Sequence, residues 1–455
     1  MLRKVKSILL IASCIMMQLF SSCSDMSDEV QLQKAESIVL TPEEYASVAY
    51  DSTGTMSPQE AVEMVHNFCL QNSTRSAVLP TVVSQRELSD TISLQGKTKE
   101  VTIPTYELSF GNEGGYAIVS ADERAPEVIA YSTTGKISDI SENVGAMKMQ
   151  RMSERVVLTQ IAQLDLLRDS LREKTLNKIA SQLNVNKVDF NSIKDRVLVN
   201  SEIQGTRSKQ MYPDESKAWK SKLPMLKTSW AQWYPYNIQL GKAKNPTIYA
   251  NKGYNAVGCA GVAAAQIVAF YKAISVANGC TLNWNEILSE PFVDEYSDDG
   301  VIEQVSQLMK CVANGIKTEW TDKDDAGTSN ISKVHDYFDT INLTFDIRKK
   351  GKGYAMDATR IITSLDQGYP VFVTGNDAGN SFGHLWILDG YLMLKKDSKT
   401  RMQIMTNDTY IHANFGWDGL YDGYYLVDSG TTNLTFQNQC DFSSGMMLYP
   451  NVRRK

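Results

Sequence analysis

The spacing of apolar residues along this chain changes near its middle. From about residue 30 to 200, short β-like runs come first, "EVTIPTYELSF", "GGYAIVSADE" and "PEVIAYS", each bounded by Gly, Asn, Asp or Pro. A long helical stretch follows: Met149, Met152, Val156, Ile161, Leu164, Leu167 and Leu171 recur at helical spacing among charged residues, which predicts an amphipathic helix over roughly 142–175. With a further helix at "SPQEAVEMVHNFCLQ", this half reads as a small α+β domain, and its one histidine, His66, as a surface or boundary residue. The second half opens on the aromatic segment "LPMLKTSWAQWYPYN", continues into a helix starting near Cys259 and another at "DGVIEQVSQLMKCVANG", and turns to strands from about residue 340. Those strands are "LTFDIRK", "PVFVTG", "HLWILDGYLM", "MQIMTNDTYIHANFGW" and "GYYLVD", so the expected order is a helical lobe and then an antiparallel β lobe. Between the halves runs "VNSEIQGTRSKQMYPDESKAW", polar and basic at Arg207 and Lys209, which reads as a protease-accessible linker and a processing site.

The N-terminus adds a compartment. Arg3, Lys4 and Lys6 precede an apolar run from Ile8 to Phe20, the pattern of an export signal over residues 1–22. The small residues before Cys23 resemble a relaxed bacterial lipobox, which makes Cys23 a lipidation site and residues 23–35 a tether. The product is then an outer-membrane or cell-surface lipoprotein attached to the membrane by its lipid; with an ordinary signal peptide it is periplasmic or secreted. No later segment approaches the roughly 20 apolar residues of a membrane helix. The net charge of -6, with no basic stripe, argues against nucleic acid as a partner. No pair of ligands has recognised metal spacing, and neither a metal nor a cofactor is expected. Export permits disulfides, and Cys259, Cys280, Cys311 and Cys440 leave the pairing open, two bridges among them being one reading.

Four residues carry candidate chemistry. Cys259 follows Gly258 where a helix of small residues begins, and a helix N-terminus favours the thiolate, which is the nucleophilic form. His384 follows Gly383 at the mouth of an apolar strand, placed to act as a base, and a Cys-His pair is the minimal machinery of acyl transfer. Asn414, in "IHANFGWDGLYDGYYLVD", is the candidate orienter of the imidazole. Gln232 is the candidate oxyanion donor beside the Cys259 N–H. His412 reads as a structural strand residue and His335 as a surface one.

The order Gln232, Cys259, His384, Asn414 is that of papain-like cysteine peptidases. "VGCAGVAAAQI", "GHLWILDGY" and "HANFGWDGLYDGYY" resemble motifs of the streptopain family of bacterial secreted cysteine peptidases, with its Bacteroides and Prevotella relatives. "GGYAIVSADERAPEVIAYS" resembles that family's propeptide signature. The resemblance implies an α+β fold: a two-lobe papain-like peptidase over 210–455 behind an inhibitory α+β propeptide domain over 36–209. It further implies protein or peptide substrates, the prodomain as intramolecular inhibitor, and activation by another protease or by the enzyme itself. Two departures stand out: Phe415 and Asp418 replace the family's Trp and Gly, while Trp417 survives. Phe415, Trp417 and Gly383 are expected to support the cleft, with catalysis retained but its rate or subsite preference altered. Two rival readings are a Cys-His amidase or transglutaminase-like acyl transferase and a non-catalytic surface-binding lipoprotein.

Overall fold

The computed structural model describes residues 37–49, 54–72, 79–94, 96–111, 114–199, 219–274, 279–320, 326–348, 352–376, 383–395, 407–428 and 445–455. Cys23, the tether, Arg207, Lys209 and Cys440 lie outside them. In the N-terminal half, helices α1 (Pro42–Ala49) and α2 (Pro58–Asn72) precede strands β1 (Thr81–Leu94), β2 (Lys97–Ser109), β3 (Tyr116–Ser120) and β4 (Val128–Ser132) and then the long helix α3 (Val144–Gln182). In the C-terminal half, β5 (Trp219–Lys222) leads to helices α4 (Cys259–Tyr271), α5 (Asp299–Gly315), α6 (Ile331–Thr340) and α7 (Ala358–Asp366). Strands β6 (Val371–Asn376), β7 (Gly383–Lys395), β8 (Asn407–Asn414), β9 (Gly423–Asp428) and β10 (Met446–Tyr449) follow. The helical-then-β order is as expected, except that among the described residues of "LTFDIRK" only Leu343–Thr344 form a strand and that α7 was not anticipated.

The two halves share one sheet. Among the described residues its ten strands run β10-β6-β7-β8-β9-β4-β3-β2-β1, with β5 also on β7. Ser132, Tyr131 and Ala130 of β4 stand antiparallel to Gly423, Tyr424 and Tyr425 of β9, so each strand fills the edge the other would leave open. Residues 38–455 accordingly form one compact unit.

Burial on both faces explains why β7 reads as an unbroken apolar run. Leu385 and Ile387 enter one core with Ala263 and Ile267 of α4; Trp386 and Leu388 enter the other with Met149 and Met152 of α3. Helix α3 begins at an Asn143 cap, whose side-chain oxygen accepts the Ala146 N–H at 3.0 Å. Its burial departs from the one-sided pattern expected of an amphipathic helix: every residue from Val156 to Leu164 is buried. The β1–β2 hairpin curls back onto it, tied by Arg155 to Asp90 and by Lys99 to Asp165.

Cys280 and Cys311 are joined, closing a loop of sequence separation 31, while Cys259 stays free. A two-bridge arrangement that included Cys259 is thereby excluded. Loop closure of this size removes roughly 3–4 kcal/mol of unfolded-chain entropy. Cys280→Ser/Cys311→Ser should therefore lower the calorimetric unfolding temperature by several degrees, and an unchanged value would show that the bridge constrains little.

Candidate active site

Cys259 is the first residue of α4, and the turn that delivers it requires glycine. Gly258 has φ +78°, and a Cβ there would stand 2.2 Å from the Gly327 carbonyl oxygen. The Val257 N–H donates to the Gln232 carbonyl at 2.9 Å, which lays the Gln232 backbone beside the nucleophile turn. On the other side, the Cys259 Sγ lies 3.9 Å from the carbonyl oxygen of Gly383, the residue before His384. A Cβ on Gly383 would sit 2.2 Å from the Asn376 Oδ1, so any larger residue there would require that exposed side chain to move. The structure thus brings Cys259, the Gln232 backbone and the start of the His384 strand together.

His384 is buried, and its Nε2 lies 3.1 Å from the Phe415 carbonyl oxygen. A carbonyl can only accept, so the proton sits on Nε2 and the lone pair on Nδ1. Burial pushes the imidazole pKa down to about 4 against a smaller upward pull from that carbonyl, so the ring is neutral at ordinary pH. Its ring stacks on Trp386 at 5.8 Å. Among the described residues there is no Cys259–His384 hydrogen bond. With no imidazolium beside it, the thiol departs from the expected acidity. Desolvation raises the Cys259 pKa, and the N–H groups of Leu385, Ala260 and Cys259 only partly offset this.

Asn414 is the second departure from expectation, because its amide does not bond to the imidazole. Its Nδ2 donates to the Thr228 carbonyl at 2.8 Å, and its Oδ1 accepts from the Gln266 Nε2 at 2.9 Å and the Gly416 N–H at 3.2 Å. The orienting contact to His384 comes instead from the main chain of the next residue. Phe415 is buried, with its ring edge-on to Tyr425 at 5.7 Å, and its N–H donates to the Asp422 Oδ1 at 2.8 Å. Asp422 is also buried, and desolvation, only partly offset by His412, pushes its pKa up to about 7. His412 pairs with Asp389 at 2.7 Å; burial pulls its pKa down, but Asp389 wins and the net shift is upward.

Three residues here escaped sequence reasoning. Gln266 binds Thr228 as well as Asn414, and its signal was an amide within an otherwise apolar helix. Asp422 was visible only as part of a motif. Gly145, on the first turn of α3, had no local signal. A Cβ on it would stand 2.6 Å from the His384 Cδ2 and 2.9 Å from the Phe415 Cδ1, so the N-terminal half is in van der Waals contact with the imidazole. The same half fastens the loop beyond Phe415: Ser132 Oγ donates to the Asp422 carbonyl at 2.8 Å, and Thr134 Oγ1 donates to the Gly419 carbonyl.

Residues 230–425 match the Peptidase C10 family, and residues 52–155 match the Spi protease inhibitor family. Over 344 residues, 75% of this chain and 77% of the relative, the sequence is 22% identical to streptopain of Streptococcus pyogenes serotype M28. It is 23% identical over the same span to the serotype M1 streptopain. Among solved structures, the chain is similar to a Prevotella intermedia prointerpain A fragment, at 17% identity and TM-score 0.42 over 81% of this chain and 100% of that one. It is also similar to active interpain A cysteine protease of that organism, at 18% identity and TM-score 0.38 over 53% of this chain and 98% of that one.

Proposed function

We infer, since this chain belongs to the streptopain family and is a cysteine peptidase zymogen, that Cys259 is its nucleophile and His384 its base. The observation that carries this reading is the meeting of the α4 N-terminus with the first residue of β7, Sγ 3.9 Å from the Gly383 oxygen. Once the N-terminal half withdraws, His384 takes the thiol proton and the sulfur attacks the scissile carbonyl carbon. The Cys259 N–H and the Gln232 amide hold the oxyanion. The tetrahedral intermediate collapses to a thioester as His384 hands the proton to the leaving amine. His384 then activates water, which releases the acid and restores the thiol. Asn414 positions the imidazole through the Phe415 carbonyl that follows it, and Gly383, Phe415 and Trp417 shape the cleft.

Residues 36–209 act as an intramolecular inhibitor of residues 210–455. The Gly145 contact and the buried, neutral His384 support this. Cutting near Arg207 and Lys209, by the enzyme or by another protease, begins activation. Residues 1–22 direct export and Cys23 takes the lipid. Substrates are loop or unfolded segments of proteins, and no cofactor takes part.

The test follows intact mass, N-terminal sequence and casein hydrolysis over time, under reducing conditions, for the purified chain and its Cys259→Ala twin. The wild type alone should shorten to a form beginning near 208–212 and then digest casein. Silence that persists after an added protease cuts the linker would favour a non-catalytic surface protein.

A further inference from the structure

We propose that Asp418 is a positioning residue: its carboxylate brackets the segment that carries Gln232 and sets that segment against the Cys259 helix. The proposal rests on the oxyanion role given above to Gln232. The Trp233 indole N–H donates to Asp418 Oδ2 at 3.2 Å, and the Tyr236 hydroxyl donates to Oδ1 at 3.2 Å. The Asp418 N–H reaches back to the Trp230 carbonyl at 3.4 Å, and the neighbouring Trp417 ring meets the Trp233 ring edge-on at 5.4 Å. The same segment is also held by the Val257 N–H, which donates to the Gln232 carbonyl at 2.9 Å. Gln232 therefore sits between two fixed points, one on the nucleophile turn and the other at Asp418.

The chemistry selects a carboxylate. Two donors converge on two oxygens, and a carboxylate accepts both, whereas an asparagine has a single acceptor and would aim its NH2 at a donor. Nor is the backbone a reason for aspartate: Asp418 has φ +54°, a conformation that suits glycine better. An aspartate there, with an exposed outer side, is explained by what its side chain holds. Oxyanion donors act only when held within a fraction of an ångström of the developing charge, and losing one outright lowers kcat by roughly 10²–10³. Loosening the segment should forfeit part of that.

The experiment uses the full chain cut within residues 200–218, as wild type, Asp418→Asn, Asp418→Gly and Trp233→Phe. For Asp418→Asn and Asp418→Gly, kcat on a peptide amide should fall about 10-fold with KM within about 2-fold. Inhibition by a peptide aldehyde, whose thiol adduct carries the oxyanion, should weaken about 10-fold. Alkylation of Cys259 by iodoacetamide, which forms no oxyanion, should keep its rate. Trp233→Phe, which removes one donor and keeps an aromatic ring, should give a smaller loss that is not additive with Asp418→Asn. Asp418→Gly relaxes the backbone, so an unchanged melting temperature with a weakened aldehyde separates positioning from general destabilisation. Unaltered aldehyde inhibition in an active Asp418→Asn enzyme would overturn the proposal, as would a parallel fall in alkylation. A wild type that neither hydrolyses peptide nor binds aldehyde would bring down the catalytic reading itself, and this one with it.

Discussion

Cys259→Ala, in the chain already cut between residues 200 and 218, should hydrolyse casein roughly four to six orders of magnitude more slowly than wild type. In the proposed mechanism the sulfur forms the bond that divides acyl transfer into two steps, and alanine would leave His384 nothing to deprotonate. The loss should be chemical and not structural. Among the described residues the thiol has no side-chain partner, meeting only main-chain groups, the Gly383 carbonyl at 3.9 Å and the N–H groups of Leu385, Ala260 and Cys259, and alanine suits a helix start already rich in Ala260, Ala263, Ala264 and Ala265. Matched melting temperatures, together with turnover lost at every substrate concentration, would be the expected result. Retained proteolysis would require another nucleophile, and the only other free cysteine among the described residues, Cys69, is buried far along the chain in the N-terminal half.

The second large effect concerns latency. Gly145→Leu should wake the uncut zymogen. A Cβ at this position falls 2.6 Å from the His384 Cδ2 and 2.9 Å from the Phe415 Cδ1, far inside contact distance, and a leucine projects further. Overpacking of this kind costs about 1–3 kcal/mol, which corresponds to a rise of roughly 5- to 150-fold in the fraction of undocked, competent enzyme. Leucine also favours the helix over glycine, so α3 itself gains when it leaves the site. Initial rates on a small peptide substrate, measured with the linker intact and verified by mass, report the effect. An unchanged rate would place the source of silence elsewhere than at the imidazole.

What could be seen in advance was local. A cysteine between a glycine and a run of alanines marks a helix start, and a histidine after a glycine ahead of "LWILDG" marks a strand mouth; the chain folds at both places as its immediate neighbours dictate. Asn414 shows where such reasoning stops. Its position was legible, but the partners of its amide, Thr228 and Gln266, come from separate segments, and the direction of a side chain depends on them. The β4–β9 pairing was equally hidden, because both strands read as ordinary half-buried runs and nothing in either names the other. The Cys280–Cys311 pairing was one of several that cysteine positions alone allow. Gly145 is an ordinary first-turn helix glycine until the fold sets it against His384.

The ladder between β4 and β9, with α3 laid over Trp386, means that cutting the linker need not free the enzyme. Before the cut the inhibitor is tethered to its target and faces it at an effective concentration set by the linker; afterwards the same contacts belong to two separate molecules and obey mass action. A nicked complex can then remain silent in a crowded preparation and become active on dilution. Departure of the N-terminal piece would also leave Gly423–Tyr425 as a bare strand edge, able to pair with the next extended chain it meets. Digestion of the released piece would make the change irreversible. The quantity that decides activity is therefore how dilute the protein is after cleavage, as much as the cleavage itself.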